Sequence, residues 1–211
     1  ILRELDGLDY DDAHAIEGHA LHVRDRLAAA RTPPEIEAAI CSAYAELESK
    51  SGPGVLVSVR SSATAEDLPG ASFAGQQDTY LDIHGAEQVV AHVKRCWGSL
   101  WTARAIAYRH RQRFPHEAVS MAVVVQEMFP SEVAGVMFTA NPVTSNPGEI
   151  FVNSSWGLGE AIVSGRVDPD QFVVAKASGE IVQRVIGDKR LMTVRRSAGQ
   201  GCCEAEVPVD R

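Results

Sequence analysis

The balance of apolar spacing shifts along this chain, and that shift constrains the fold more than any single motif. Up to about Arg113 most apolar residues recur every three to four positions, the repeat of an amphipathic helix, with two strand-length runs between the helices; beyond it they alternate, the repeat of a half-buried strand. Residues 1–31 read as helical, with Ala15, Ile16, Ala20, Val23 and Leu27 near one face. A second helix is signed by Thr32 as N-cap, Pro33 at the first position and Glu35 completing a capping box, with Ile36, Ile40, Tyr44 and Leu47 as its apolar set. SerGlyProGly at 51–54 stops it. A long helix is predicted from Ala86 to about Arg113 on Val89, Val93, Trp97, Leu100 and Ala107, with Lys94, Arg95, Arg104, Arg109 and Arg111 on its outer face. Two strands, GVLVSVR at 54–60 and TYLDI at 79–83, lie between these helices. After Arg113 come six strand-like runs, AVVVQEM, AGVMFTA, EIFVNSS, DQFVVAK, EIVQRVIG and RLMTVRR, separated by Pro- and Gly-bearing turns. The expected class is α+β, helical in its first part and largely antiparallel sheet in its second, with a helical segment over 1–53 and a core over 54–211.

Composition removes several function classes. The longest apolar run, MAVVVQEMF at 121–129, is strand-length and carries Gln126 and Glu127, so no bilayer span is predicted. Twenty Lys and Arg against 28 Asp and Glu leave a net charge of −8, which argues against a nucleic-acid partner. Cys41, Cys96, Cys202 and Cys203 show no CxxC spacing, and the adjacent last pair suits neither a mutual disulfide nor a shared metal, so reduced thiols and a cytoplasmic location are expected. His14, His19 and His22 lack the i, i+4 spacing of a metal-binding pair and suit a solvated helix face. The chain opens at Ile1 and closes at Asp210-Arg211 without a closing element, and it reads as an internal fragment.

The most unusual segment is VRSSATAEDLPGASFAGQQDTYL at 59–81. Arg60 stands at a strand end, followed by hydroxyls at Ser61, Ser62, Thr64 and Ser72, glycines at Gly70 and Gly75, and Thr79 entering the next strand. A guanidinium, hydroxyls and free backbone N–H groups form the donor set that holds a polyphosphate whose charge shifts during phosphoryl transfer. It is not a Walker A loop, because Gln76 follows Gly75 where a lysine would be required. Ser, Gly, Asp and Pro are also plain turn residues, so composition alone leaves a polar surface hairpin loop equally open. GVMFTANP at 135–142 and SSWGLGEAIVSG at 154–165 add Gly-bearing turns where backbone could approach a ligand, and Glu160 could meet Mg²⁺ through phosphate or water; tight turns between strands are the other account. Neither a dinucleotide-binding fingerprint nor a G-x-S-x-G elbow occurs.

In the order VRSSATAEDLPGASFAGQQDTYL, CWGSLWTARAIAYR, VVVQEM, AGVMFTANP and WGLGEAIVSGRVDPDQF, these strings resemble the nucleotide-binding domain of the phosphoenolpyruvate synthase and pyruvate phosphate dikinase family, which includes the rifamycin phosphotransferases. The resemblance spans about residues 35–190. It implies an ATP-grasp-like fold that clamps ATP between two α+β subdomains, with Mg²⁺ as cofactor, and that phosphorylates a histidine on a separate swivelling domain. Carried across, the family's phosphate-contacting arginine falls on Arg60, its loop glycine on Gly75 and its threonine on Thr79. The glutamine at the adenine edge falls on Gln126, with Glu127 and Met128 lining the base pocket, Val125 and Met128 giving apolar contact, and Glu160 as a metal or phosphate position.

The resemblance also implies that an ATP-contacting lysine precedes Ile1, that a closing carboxylate, glutamine and arginine group follows Arg211, and that the phosphorylatable histidine and the substrate site belong to other domains of the same protein. Those domains and ATP are the expected partners, and a homodimer is the family's frequent assembly. The expected reaction converts pyruvate, ATP and water to phosphoenolpyruvate, AMP and phosphate, with this piece inactive alone. A rifamycin acceptor and a nucleotide-binding module without turnover are the alternatives.

Overall fold

The computed structural model describes residues 5, 7–63, 67–68, 71–72, 78–196 and 201–208, with backbone alone at 67–68 and 71–72. The chain is α+β and divides into two compact units, Ile1–Met128 and Phe129–Arg211.

In the first unit, α1 (Ala13–Ala29) begins where the Asp12 carboxylate accepts hydrogen bonds from the amides of His14, at 2.9 Å, and Ala15, at 3.2 Å. It buries Ile16, Ala20 and Val23, three residues of the expected apolar face. The capping box expected at Thr32 does not form. Pro33 takes the N-cap position of α2 (Pro34–Ser51) without a side-chain hydrogen bond. The cause is local: a residue followed by proline is pushed out of the helical region, so Pro33 is extended, at φ −52° and ψ 132°, while Pro34 fits the first helical position.

Three antiparallel strands follow in the order β4-β1-β5: β1 (Val57–Ala63), β4 (Thr79–Ile83) and β5 (Met121–Glu127). β1 extends past Arg60, and a short hairpin, β2 (Asp67–Leu68) with β3 (Ala71–Ser72), forms inside the segment read as loop. One face of the sheet carries Val57, Val59, Tyr80, Ile83, Val123 and Val125 against Tyr44 of α2 and against Val89, Val93 and Cys96 of α3 (Ala86–Ser99). Val57, Val59 and Val89 are fully buried, each worth about 1.5–3 kcal/mol relative to exposure. Tyr44 ties these layers together: its hydroxyl donates to the Val55 carbonyl at 2.8 Å and accepts from the Gly85 amide, at the N-cap of α3, at 2.9 Å.

The single long helix expected from Ala86 is two helices. α3 ends at Ser99, and α4 (Ala103–Arg111) restarts where Thr102 Oγ1 accepts from the Ala105 amide at 3.2 Å. The restart resets the helical phase, and Arg109, expected on the outer face, is only 1% exposed. A one-turn 3-10 segment, His116–Ala118, leads on toward β5.

In the second unit four strands form an antiparallel sheet in chain order: β6 (Val133–Phe138), β7 (Glu149–Trp156), β8 (Asp170–Ala175) and β9 (Ile181–Val185). The one-turn helix α5 (Glu160–Val163) separates β7 from β8, and β10 (Leu191–Arg195) pairs with β11 (Cys202–Glu206). All six runs expected as strands form strands; β11 carried only a weak signal, because CysCysGluAlaGlu contains no β-branched or aromatic residue and its alternation rests on the small Cys203 and Ala205. Gly157 lies at φ +76°, and a Cβ there would strike the Thr193 carbonyl, so this β7-to-β10 contact requires glycine. No helix among the described residues is long and apolar enough to cross a membrane.

Candidate functional site

The register of the first unit's sheet decides which residues can act together. Side chains alternate across a strand, so with Val57 and Val59 turned to the helices, Ser58, Arg60 and Ser62 occupy the other face of β1. On that face Arg60 stands opposite Thr79 of β4 on one side and Val124 of β5 on the other. Directly opposed residues lie about 4.5–5.5 Å apart at Cβ, and Gln126, two positions along β5 from Val124, is the diagonal neighbour at about 7–8 Å. Arg60, Thr79, Val124 and Gln126 are all exposed. The helix-free face therefore presents a guanidinium, a hydroxyl and a carboxamide around a patch of Val124.

Bonds to backbone carbonyls hold this grouping, none of them made by the side chains of Arg60, Thr79 or Gln126. Ser61 donates to the Asp78 carbonyl from its hydroxyl at 3.0 Å and from its amide at 3.4 Å, pinning the two strands beside the Arg60–Thr79 pair. Ser58 Oγ donates to the Gln126 carbonyl at 3.3 Å, which uses the backbone and leaves the carboxamide uncommitted. The side chains of Arg60, Thr79 and Gln126 make no hydrogen bond or ion pair among the described residues, so all three are available to a ligand. Each charge-assisted bond from such a guanidinium to a phosphate oxygen is worth about 1.5–3 kcal/mol.

The remaining expected positions fall differently. Glu127 ends β5 and accepts from Ser51 Oγ at 2.6 Å, which ties it to the end of α2. Met128 follows, its amide donating to the Leu56 carbonyl at 2.8 Å. Val125, expected to contact a base, packs into the core instead, because strand alternation turns it away from Gln126. Val124, 46% exposed, is the apolar residue on the Gln126 face. Gly75 lies outside the described residues. Glu160 is exposed in the second unit, the first residue of α5.

Among the described residues no group of three or more His, Cys, Asp or Glu is arranged to hold a metal ion. Among the described residues no protein-built Mg²⁺ cage of converging oxygen ligands is present. Behind the sheet, burial pushes the Cys96 thiol up to about 12, with the Asp78 charge adding to it, so this thiol is inert. Burial likewise raises Tyr80 above the ordinary phenol range, assisted by the hydrogen bond it donates to Asp78 at 2.9 Å.

Sequence reasoning from the motif named Ser62 but missed Ser58 and Val124 as members of the same face. The signal that finds them is the period-two register of β1 against β5.

Comparison with known proteins places the chain in a family. The family profile described as pyruvate phosphate dikinase, AMP/ATP-binding domain, matches residues 1–211. A phosphoenolpyruvate synthase of Pyrococcus furiosus is 51% identical over 201 residues, covering 94% of this chain and 25% of that protein. A rifampicin phosphotransferase of a Streptomyces species is 45% identical over 210 residues, covering 100% of this chain and 23% of that protein. The chain thus spans about a quarter of the length of these relatives. By the extent of the profile match and the identity over nearly its whole length, the chain belongs to the pyruvate phosphate dikinase AMP/ATP-binding domain family.

Proposed function

We propose that this chain binds ATP for a phosphotransferase that phosphorylates a histidine on a separate swivelling domain, with pyruvate as the final acceptor: pyruvate, ATP and water give phosphoenolpyruvate, AMP and phosphate. The observation that carries the reading is the exposed face on which Arg60, Thr79 and Gln126 converge without partners of their own. Arg60 would bridge phosphate oxygens with its planar fork and offset the charge that builds on the transferred group; Thr79 would donate from its hydroxyl. Gln126 would meet the adenine edge and Val124 would give the apolar surface, while Glu127 and Met128 would border the base through backbone at the end of β5. Gly75 and Glu160 enter as a phosphate-approach position and a metal or phosphate position, on the resemblance alone. Mg²⁺ would be held chiefly by phosphate and water oxygens.

Pyruvate is placed ahead of a rifamycin because relatives named phosphoenolpyruvate synthase reach 51% identity; the rifampicin phosphotransferase at 45% over 210 residues supports the second reading. The test is AMP formation by the full protein that carries this chain, supplied with ATP and either pyruvate or rifampicin. Pyruvate-dependent AMP release supports the first reading and rifampicin-dependent release the second. ATP binding without AMP release under either condition would leave a nucleotide-binding module and overturn both.

A further inference from the structure

On the helical side of the first unit, α1, α3 and Tyr80 of β4 line a groove of about 480 Å³, within the roughly 300–1,000 Å³ of small-molecule pockets. Its charged lining is Arg24, Lys94 and Arg95 against the single acid Asp25. In a chain with 28 acidic and 20 basic residues this local excess of cations runs against the net charge. None of the three cations is in an ion pair among the described residues. Lys94 is spent on structure: its Nζ donates to the carbonyls of Ala28, at 2.9 Å, and Ala30, at 2.6 Å, closing the C-terminal end of α1.

Arg95 has no carboxylate partner among the described residues. Tyr80 donates its hydroxyl to Asp78 at 2.9 Å, and Arg95 faces the Tyr80 ring at 6.0 Å and stands 3.4 Å from His92 Nε2. Arg24, exposed on α1, makes no hydrogen bond or ion pair among the described residues. The groove walls between them are carbon, from Leu21, Leu27 and Ala91. Two planar guanidinium groups without carboxylate partners, over an apolar wall, match a compact anion with at least two oxygens to be bridged.

We propose that this groove binds a small dianionic oxyanion, a phosphomonoester or a dicarboxylate, between the guanidinium groups of Arg24 and Arg95. It lies on the face of the sheet opposite Arg60 and does not depend on the ATP reading. The test titrates the full protein with inorganic phosphate and with succinate at fixed ionic strength, and maps which arginines each anion protects from phenylglyoxal. Saturable binding that protects Arg24 and Arg95, weakens about tenfold or more in the Arg24→Gln/Arg95→Gln variant and survives in Arg60→Ala supports the site. Binding of phosphate alone assigns a phosphomonoester; binding of succinate assigns a dicarboxylate. No saturable binding of either anion, or binding that persists in the double variant and vanishes in Arg60→Ala, overturns it. Failure of the ATP reading shows separately, as unchanged nucleotide affinity in Arg60→Ala.

Discussion

Arg60 owes its position to the residue on either side of it. Val59 is fully buried against α3, and that anchors the alternation which turns Arg60 to the open face. Neighbouring residues in β5 are therefore expected to fail in different ways. Val125→Ala removes core contacts and should lower the melting temperature while leaving ATP affinity unchanged; Gln126→Ala should leave the melting temperature unchanged and weaken ATP binding about tenfold, the worth of one lost hydrogen bond at a ligand. Calorimetric melting and ATP titration of the two variants check this. An affinity loss confined to Val125→Ala would reverse the assigned register. Arg60→Lys keeps the charge but loses the planar fork, so it should recover only part of the affinity lost in Arg60→Ala.

At the scale of elements, the strands were the most legible feature, because alternation of Val, Ile and Phe with polar residues reports a half-buried strand directly. The helix boundaries were less so. Pro33-Pro34 moved the start of α2, and the restart at Thr102 broke the periodic run that includes Leu100 and Ala107, hiding the burial of Arg109. Nor did spacing reveal the polar cluster built there. Arg109 Nε donates to His116 Nδ1 at 2.9 Å, which requires a neutral ring protonated at Nε2, and that nitrogen lies 3.1 Å from the Tyr10 hydroxyl. Burial, and secondarily the Arg109 charge, holds His116 below the usual value of 6.5, and burial does the same for His92. Above that value both the folded and the unfolded chain hold neutral imidazoles and this contribution is complete. As pH falls through it, the unfolded chain takes up protons that the folded chain refuses, so stability declines until pH passes the lowered folded values. The melting temperature should therefore drop between about pH 7.5 and 5.5, and less in His116→Gln, whose amide oxygen still accepts from Arg109. An unchanged drop in that variant would remove His116 from the account.

For the whole molecule, the family was legible because its motifs are long strings in fixed order, while the grouping of the site was not, since the pairing of Arg60 with Thr79 and Val124 depends on register rather than on any string. The chain spans about a quarter of its relatives, and the proposed reaction assigns histidine phosphorylation and acceptor binding to the rest of the protein. What this chain supplies by itself is the open face of the β4-β1-β5 sheet. The most direct measurement is equilibrium titration of the full protein with Mg-ATP, wild type against Arg60→Ala. Arg60 is exposed and unpaired among the described residues, so the substitution should leave the melting temperature unchanged and weaken ATP binding by about tenfold or more. Wild-type affinity in the variant would contradict the placement of the triphosphate on this face.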